Sequence, residues 1–284
     1  MDTSEPLTGK AKPFGTYAPT TVVRVMIMLA QATPLGRGGA RRYITRLLRR
    51  WHEGPIDVHL FGQRARLLLH GNSSETKALI KPQLYARAAR RTVADVLPKQ
   101  GGVLIDIGAN AGLFSLMATA HMDTGTVIAA EPQPALIERL RTNLIGLKSD
   151  NQRGLNVYLF DCAVGAEAGE SILHIPRQLG QASLHPLAAA SPLTVPIQPL
   201  VQLIDEAAVD HVDLLKIDIE GYEDDVLFPF FETAPETLWP TAIVLEHCHS
   251  DRWRRNCLTL LSERGYQTIA KSRTDTVFVK LPGT

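Results

Sequence analysis

Beyond residue 100, short apolar runs alternate with longer stretches in which apolar residues recur at helical spacing. Uninterrupted apolar runs of about four to eight residues are typical of strands that are buried on both faces of a parallel sheet. Predicted strands cover 103–107, 126–130, 156–160, 213–217, 242–246, 266–270 and 276–280, and predicted helices begin near Gly112, Pro134, Gly221 and Asp251. This alternation predicts an α/β fold with a doubly wound, Rossmann-like sheet.

The part of the chain before residue 101 has a different organisation. Proline, glycine and threonine dominate residues 1–19, which predicts a disordered leader. Two short strands are predicted around Gly62, and a helix is predicted over 82–97, ending before Pro98. The chain is therefore divided into a leader, a helical arm, a cap and a main domain, which span 1–19, 20–55, 56–100 and 101–284.

The helical arm is strongly basic. Apolar residues recur at helical spacing between Gly39 and Trp51, and arginines occupy the other face at positions 41, 42, 46, 49 and 50. Residues 1–52 hold nine Lys or Arg against two acidic residues, whereas the rest of the chain has a net charge of −6. Such an arm suits a peripheral membrane contact through residues 20–51, a nucleic acid or an acidic glycan. It also suits packing on the core or on a second subunit of a homo-oligomer with the arginines in water, and we favour this packing.

Composition narrows the class of protein. Hydrophobic residues make up 45% of the chain, which is enough for a sizeable core and excludes a disordered protein. The three cysteines, Cys162, Cys248 and Cys257, lack the paired spacing of a disulfide framework or a zinc site. The apolar run over 20–32 contains Arg24 and is too short to span a bilayer. We therefore expect a soluble, cytoplasmic enzyme.

A glycine-containing turn follows the first predicted strand of the main domain. It reads Asp106-Ile-Gly108-Ala-Asn110-Ala-Gly112 and lies where a doubly wound fold binds a nucleotide-like cofactor. A dinucleotide-binding turn has a middle glycine so that the backbone can approach a pyrophosphate, but Asn110 occupies that place. The turn therefore favours a cofactor without phosphates. Gly108 and Gly112 keep the turn tight, and Asp106 can meet the ammonium group of S-adenosylmethionine.

Acidic residues also follow the next two predicted strands. Glu131 comes directly after the strand 126–130, where a carboxylate can bind both hydroxyls of a ribose. Asp161 comes after the strand 156–160 and can accept a hydrogen bond from an adenine amino group, with Ala163 beside the ring. One such acid alone is typical of a solvated strand end. Acids at three successive strand ends instead predict a binding site for S-adenosylmethionine.

Four segments of the chain together resemble the FkbM-type methyltransferase family. They are VLIDIGANAGLFS (103–115), AEPQP (130–134), FDCAVG (160–165) and DLLKIDIEGYE (213–223). The likeness extends over about residues 56–281 and leaves the basic arm outside it. It implies a class I methyltransferase fold that uses S-adenosylmethionine to methylate oxygen, often the hydroxyl of a sugar.

Methylation of an aliphatic hydroxyl requires removal of a weakly acidic proton, so a base or a metal ion has to assist. Asp218 and Glu220 follow the fourth strand, and Glu246, His247 and His249 follow its predicted neighbour, so that these side chains can converge at the mouth of the crevice. The resemblance to sugar O-methyltransferases that use a divalent ion implies Asp218 and Glu246 as ligands of Mg²⁺. Asp218, Glu220 and His247 are the candidate catalytic residues, with His247 as the general base. Alternatively, no metal is required, Glu220 caps the next helix and His249 lies on the surface.

The stretch 172–200 is rich in proline and interrupts the alternation of strands and helices. Long irregular insertions often line binding sites, so Ser183 and His185 are candidate acceptor contacts, although a plain surface loop fits as well. The leading hypothesis is an O-methyltransferase acting on a small-molecule or glycan acceptor. A nucleic-acid enzyme is disfavoured because the core shows no aromatic stacking platform. A cofactor-binding protein without turnover is disfavoured by the intact acids at the strand ends.

Overall fold

The computed structural model describes residues 12–150, 154–176, 181–185 and 190–281. Before the main sheet, the chain forms two helices, a β-hairpin and two further helices. They are α1 (Thr21–Ala32), α2 (Gly38–Trp51), β1 (Pro55–Leu60), β2 (Gln63–Leu68), α3 (Ser73–Ile80) and α4 (Arg87–Val96). The hairpin lies where two strands were expected around Gly62. The predicted helix 82–97 begins later, at Arg87, because Pro82–Leu84 forms a separate 3-10 turn and Ala86 has a φ of 46°.

The rest of the chain supplies the main sheet and its helices. In chain order the elements are β3 (Gly102–Ile107), α5 (Leu113–Thr119), β4 (Thr124–Ala130), α6 (Pro134–Asp150), β5 (Gly154–Phe160), β6 (Ala163–Val164), β7 (Gly169–Ile175), β8 (Ser191–Gln198), α7 (Leu200–Ala207), β9 (Leu214–Ile217), α8 (Glu223–Thr233), β10 (Ala242–Glu246), α9 (Cys257–Glu263), β11 (Tyr266–Lys271) and β12 (Asp275–Lys280). Each strand predicted from an apolar run lies within two residues of its expected bounds.

The main sheet is doubly wound, as the sequence predicts. Within the described residues, strands pair in the order β11-β12-β10-β9-β3-β4-β5. The strands from β10 to β5 are parallel to their neighbours, and β12 runs antiparallel between β10 and β11. Successive residues of β3 contribute to different cores: Leu104 shares one buried cluster with Leu116 of α5, and Ile105 shares the other with Phe230 of α8. Helices therefore cover both faces, and the strand ends meet at one edge.

The insertion is more regular than its prolines suggest. β7 and β8 form an antiparallel hairpin, and β6 pairs with the end of β8. Pro192 and Pro196 lie in β8, opposite His174 and Glu170 of β7, and β6 pairs only with the two residues after Pro196. Proline cannot donate a hydrogen bond, so it is tolerated in β8 where one side of the strand is free. Parts of the stretch 172–200 lie outside the described residues.

Part of the predicted leader is hydrogen-bonded to the hairpin β1–β2. The backbone N–H groups of Gly15 and Tyr17 donate to Oδ2 of Asp57 at 2.8 and 3.0 Å. The Arg66 guanidinium holds Asp57 at 2.7 Å and also donates to the carbonyl oxygen of Pro13 at 2.9 Å. The buried carboxylate of Asp57 thus receives part of the hydrogen bonds it requires from Gly15 and Tyr17. Residues 1–11 of the predicted leader lie outside the described residues.

Helices α1 and α2 pack on the cap, yet expose much apolar surface. Val23 and Ile27 of α1 and Leu48 of α2 are buried, whereas Tyr43 and Trp51 are 62% and 58% exposed. The expected packing of the arm on the core is thus formed by only part of its apolar face. Among the described residues, no helix combines the length and the apolar character needed to cross a membrane.

Candidate functional site

A cavity of about 760 Å³ lies at the carboxyl ends of the parallel strands. Residues that follow β3, β4, β9 and β10 line it, and so do residues of the arm and cap within 36–41 and 73–89. Sites for small molecules and cofactors typically have volumes of about 300–1,000 Å³. The crevice expected at the sheet edge is therefore a deep site that the N-terminal part of the chain helps to enclose.

The turn after β3 adopts left-handed backbone conformations. Gly108, Asn110 and Gly112 have φ values of 69°, 54° and 79°. At Gly108 only glycine fits, since a Cβ atom would overlap the carbonyl oxygen of Asp218. Asn110 is tied to the cap, because Nδ2 of Asn72 donates to its Oδ1 at 2.6 Å. Gly108 and Asn110 line the cavity, whereas Gly112 lies behind it.

Glu131 is held rigidly at the end of β4. Its two carboxylate oxygens accept hydrogen bonds from the backbone N–H groups of Asn110 at 2.9 Å and Gln133 at 3.0 Å. Burial raises the pKa of Glu131 to about 7. Oε1 of Gln133 is buried and has no hydrogen-bond partner among the described residues. Both side chains line the cavity, so a fixed carboxylate and a free amide oxygen are available to hydroxyl or amino groups of a nucleoside.

Asp106 does not line this cavity. Its side chain is fully buried, with Oδ2 accepting from the Ser115 hydroxyl at 2.7 Å. Its Oδ1 lies 3.4 Å from Nζ of Lys216. The predicted contact of Asp106 with a cofactor ammonium group is therefore not supported, because the carboxylate belongs to the interior between β3 and β9. Its contribution to the site is made through Lys216.

Lys216 is the residue that the sequence analysis missed. Its ammonium donates to the carbonyl oxygen of Gly108 at 2.8 Å and lies 3.4 and 3.5 Å from the carboxylates of Asp106 and Asp218. Burial opposes its charge, but these carboxylates outweigh burial and raise the pKa of Lys216 above its usual range. A lysine within an apolar strand could have indicated this residue from the sequence, because a buried ammonium group needs charged or polar partners.

Asp161, the acid predicted after the third strand of the main domain, lies away from the cavity. The side chain of Asp161 is exposed and does not line the cavity, whereas Cys162 and Ala163 do. The chain turns after β5 to pair Ala163 with Ile197 of β8, and this turn places Asp161 on the outside. The position of Ala163 agrees with the prediction, and the adenine contact predicted for Asp161 is not supported.

Three carboxylates converge in the cavity. Asp218, Glu220 and Glu246 each place one oxygen within 4.8 Å of the others. Oε1 of Glu246 accepts from Sγ of Cys248 at 2.9 Å, while its Oε2 is buried without a partner among the described residues. Burial and the neighbouring Asp218 raise the pKa of Glu246 well above its ordinary value, and burial raises the pKa of Glu220 to about 7. Such a cluster of oxygen ligands suits a divalent cation, which would relieve the mutual repulsion.

Glu220 does not cap helix α8. It has a φ of 57°, and its side chain belongs to the carboxylate cluster. The N-cap residue of α8 is Tyr222, which makes no side-chain capping hydrogen bond, and Oε1 of Glu223 accepts from the backbone N–H groups of Ile219 at 2.9 Å and Gly221 at 3.2 Å in the preceding loop. The strained backbone at Glu220 thus places its carboxylate in the cavity.

The predicted general base lies outside the cavity. His247 is turned toward β12, where its Nδ1 lies 3.4 Å from Oγ1 of Thr276. His249 lines the cavity instead, and its Nε2 lies 2.8 Å from Oε2 of Glu220. His247 follows Glu246 directly at the end of β10, and the two side chains point to opposite sides of the chain there. The histidine that faces the cavity is therefore His249, and the predicted position of His247 in the cavity is wrong.

The predicted acceptor contacts hold the loop after β9. The Ser183 hydroxyl donates to the backbone oxygen of Glu220 at 3.2 Å, and Nε2 of His185 lies 3.0 Å from the backbone oxygen of Gly221. The His185 ring also packs on Tyr222, with 4.3 Å between centroids. Ser183 lines the cavity but is buried, and His185 does not line it. These two residues brace the carboxylate cluster.

The strand order, the antiparallel β12 and the cavity at the glycine turn define a Rossmann-like class I methyltransferase. Residues 106–268, more than half of the chain, match the methyltransferase FkbM domain. The chain belongs to this family, and it is an S-adenosylmethionine-dependent methyltransferase. The resemblance noted in the sequence is thereby confirmed.

Three individual relatives are 24–27% identical to the chain. The chain is 25% identical over 235 residues to 31-O-demethyl-FK506 methyltransferase FkbM of Streptomyces tacrolimicus, covering 71% of this chain and 86% of the relative. It is 27% identical over 205 residues to Methyltransferase 1 of Beauveria bassiana (strain ARSEF 2860), covering 64% and 78%. It is 24% identical over 192 residues to 2-O-methyltransferase NoeI of Sinorhizobium fredii (strain NBRC 101917 / NGR234), covering 62% and 73%.

Solved structures also resemble the chain at low similarity. The precorrin-6y C5,15-methyltransferase from Geobacter metallireducens GS-15 has a TM-score of 0.39 and 16% identity, covering 68% of this chain and 87% of that one. The METTL16 MTase domain has a TM-score of 0.46 and 12% identity, covering 84% and 78%. Both TM-scores are below 0.5, so the assignment rests on the family match and on the topology.

Proposed function

We propose that the enzyme transfers the methyl group of S-adenosylmethionine to a hydroxyl group of a small-molecule or glycan acceptor, with a sugar as the favoured class. One observation carries the proposal: the carboxylates of Asp218, Glu220 and Glu246 share a single cavity with Glu131. The names of two relatives, a 31-O-demethyl-FK506 methyltransferase and a 2-O-methyltransferase, support oxygen as the methylated atom.

The cofactor half of the cavity is assigned to the turn after β3 and to the end of β4. Glu131 would accept hydrogen bonds from the ribose hydroxyls, since each of its oxygens keeps a lone pair beyond the backbone N–H it already binds. The unpartnered Oε1 of Gln133 would accept from a further hydroxyl or amino group. The sulfonium of the bound cofactor supplies the driving force for methyl transfer, so the protein has only to orient the acceptor and remove its proton.

The acceptor half is assigned to the carboxylate cluster. Asp218, Glu220 and Glu246 would hold a Mg²⁺ ion, which lowers the pKa of a hydroxyl bound to it. The buried, unpartnered Oε2 of Glu246 is the observation that favours a cation at this place. His249, oriented by Glu220 at 2.8 Å, is positioned to take the acceptor proton and pass it to solvent, since this imidazole is partly exposed.

Cofactor affinity is expected to depend on the ionisation of Glu131. Ribose hydroxyls bind the carboxylate better than the neutral acid, and the pKa of Glu131 in the free enzyme is about 7. The affinity for S-adenosylhomocysteine should therefore fall about tenfold from about pH 8 to pH 6. Glu131→Gln should bind weakly at both pH values, as isothermal calorimetry can show. Glu138→Gln, at an exposed position of α6, is the control and should match the wild type. Tight binding by Glu131→Gln would refute the cofactor assignment.

Methyl transfer is expected to require Asp218. Asp218→Asn should lower turnover at least about a hundredfold, because it removes a ligand or base of the acceptor side, while the affinity for S-adenosylhomocysteine stays nearly unchanged. Transfer of a radiolabelled methyl group to a panel of sugars and glycolipids measures the first effect, and calorimetry measures the second. An equally active variant would contradict the role of Asp218. A panel without any methylated product would favour a cofactor-binding protein without turnover.

The requirement for Mg²⁺ can be tested separately from the role of Asp218. Mg²⁺ should raise the midpoint of thermal unfolding of the wild type but not that of Glu246→Gln, since an ion that binds only the folded state stabilises it. Treatment with EDTA should abolish turnover, and added Mg²⁺ should restore it. Turnover that survives EDTA would remove the metal from the mechanism and leave His249 and Glu220 as the proton acceptors.

A further inference from the structure

A second cavity, of about 350 Å³, lies between helix α2 and helix α3. Five basic side chains line it, together with the hydroxyl groups of three Ser or Thr residues. The basic residues are Arg41, Arg42, Arg46, Arg49 and Lys77. Acidic side chains are missing from this lining, in agreement with the absence of acidic residues from positions 6–52 of the sequence. Five positive charges therefore surround one concave space.

The five basic side chains form no ion pairs with the described residues. Within the part of the chain that the structure describes, no carboxylate lies within 4.0 Å of Arg41, Arg42, Arg46 or Lys77, although other arginines such as Arg66 and Arg139 do have acidic partners. Arg49 is anchored by its Nε, which donates to the backbone oxygen of Leu69 at 2.6 Å. Bringing like charges together without a counter-charge costs free energy, so the arrangement favours a bound anion.

The basic cavity adjoins the main cavity, since the two share part of their lining. Arg41, Ser73 and Lys77 line both spaces, and Arg41 is half-buried at the junction. Arg37, Arg87 and Arg273 line the larger cavity as well. A single ligand that enters the carboxylate cluster can therefore extend a negatively charged group toward α2.

We propose that the acceptor carries a phosphate ester, which the basic cavity binds while the acceptor hydroxyl lies at the carboxylate cluster; this rests on the proposed methyl transfer. A phosphomonoester carries a charge of about −1.5 to −2 at neutral pH, and a diphosphate carries more, whereas a carboxylate would balance only one of the cations. The planar guanidinium groups of three unpaired arginines match the oxygen geometry of phosphate. The acceptor class is thus a phosphorylated sugar or related hydroxyl compound, either free or as a lipid headgroup.

The test removes two cations that line only the basic cavity. In the full-length protein, Arg42→Gln/Arg46→Gln should weaken binding of inorganic pyrophosphate at least about tenfold, as followed by ³¹P NMR titration, because charged hydrogen bonds are lost. Arg91→Gln/Lys99→Gln removes the same charge from exposed positions of the cap and should bind like the wild type. S-adenosylhomocysteine should bind all three proteins equally.

Two further experiments identify the compound that carries the phosphate. Among matched acceptor pairs in the radiolabelled assay, the phosphorylated sugar should be methylated in preference to the free sugar, and this preference should disappear in Arg42→Gln/Arg46→Gln. Sedimentation with phosphatidylglycerol vesicles, but not with phosphatidylcholine vesicles, that is lost in the same variant would identify a lipid headgroup. Equal pyrophosphate binding by wild type and variant, or binding of RNA without binding of pyrophosphate, would overturn the proposal. Failure of S-adenosylhomocysteine to bind the wild type would instead refute the proposed function.

Discussion

Replacing Lys216 by methionine is expected to destabilise the protein by about 3–5 kcal/mol, because it leaves a buried carboxylate without its counter-charge. Asp106 is fully buried, and the ammonium of Lys216 at 3.4 Å is the cation that balances it. The same substitution removes the hydrogen bond to the backbone oxygen of Gly108, so the turn that we assign to the cofactor should be loosened as well. Urea unfolding followed by circular dichroism measures the loss of stability.

Two comparisons separate the charge effect from the loss of a side chain. Lys271→Met changes an exposed lysine of β11 and should alter the free energy of unfolding by less than about 1 kcal/mol. Lys216→Met/Asp106→Asn removes both charges and should recover a large part of the stability lost by Lys216→Met alone. If the double variant is no more stable than Lys216→Met, the ion pair is not what stabilises the interior at this place.

Gly108→Ala is expected to destabilise the fold by about 2–5 kcal/mol and to abolish cofactor binding. The added Cβ would meet the backbone oxygen of Asp218, and Gly108 has a φ of 69°. To make room, the turn after β3 and the chain after β9 must move apart, which separates the cofactor half of the cavity from the carboxylate cluster. Urea unfolding and calorimetry with S-adenosylhomocysteine report the two effects.

The chain offers a matched control at Gly101. Its φ of 74° is nearly that of Gly108, but a Cβ there would meet no atom within 4 Å. Gly101→Ala should therefore cost only the left-handed conformation, about 1–2 kcal/mol, and leave cofactor affinity unchanged. A cost at Gly108 no greater than that at Gly101 would show that the close approach to Asp218 is relieved without disturbing the site.

The sheet could be predicted from the sequence because apolar runs and strand ends are local signals. The run 103–107, for example, is fully buried in β3, as continuous apolarity indicates. Elements that depend on contacts between residues far apart in the sequence were harder to predict. Gly15 and Tyr17 are hydrogen-bonded to Asp57, about forty positions along the chain, and β8 accommodates prolines where β6 does not pair with it.

The sequence predicted which residue types follow the strands, but it did not predict which of these side chains point into the cavity. Glu131, Asp218 and Glu246 lie in one cavity, as their places after neighbouring strands indicate. Asp161 and His247 also follow strands, but their side chains turn away, and the direction of a side chain beyond a strand end depends on how the next segment packs. Linear order alone does not contain that information.

The composite lining of the main cavity has a practical consequence. The family domain begins at residue 106, yet a wall of the cavity comes from 36–41 and 73–89, and Asn72 is hydrogen-bonded to the glycine turn. A fragment trimmed to residues 106–268 would lose this wall of the cavity, together with most of β3 and all of β12. Exchanging the first hundred or so residues between relatives is accordingly a route to new acceptor preferences on an unchanged catalytic sheet.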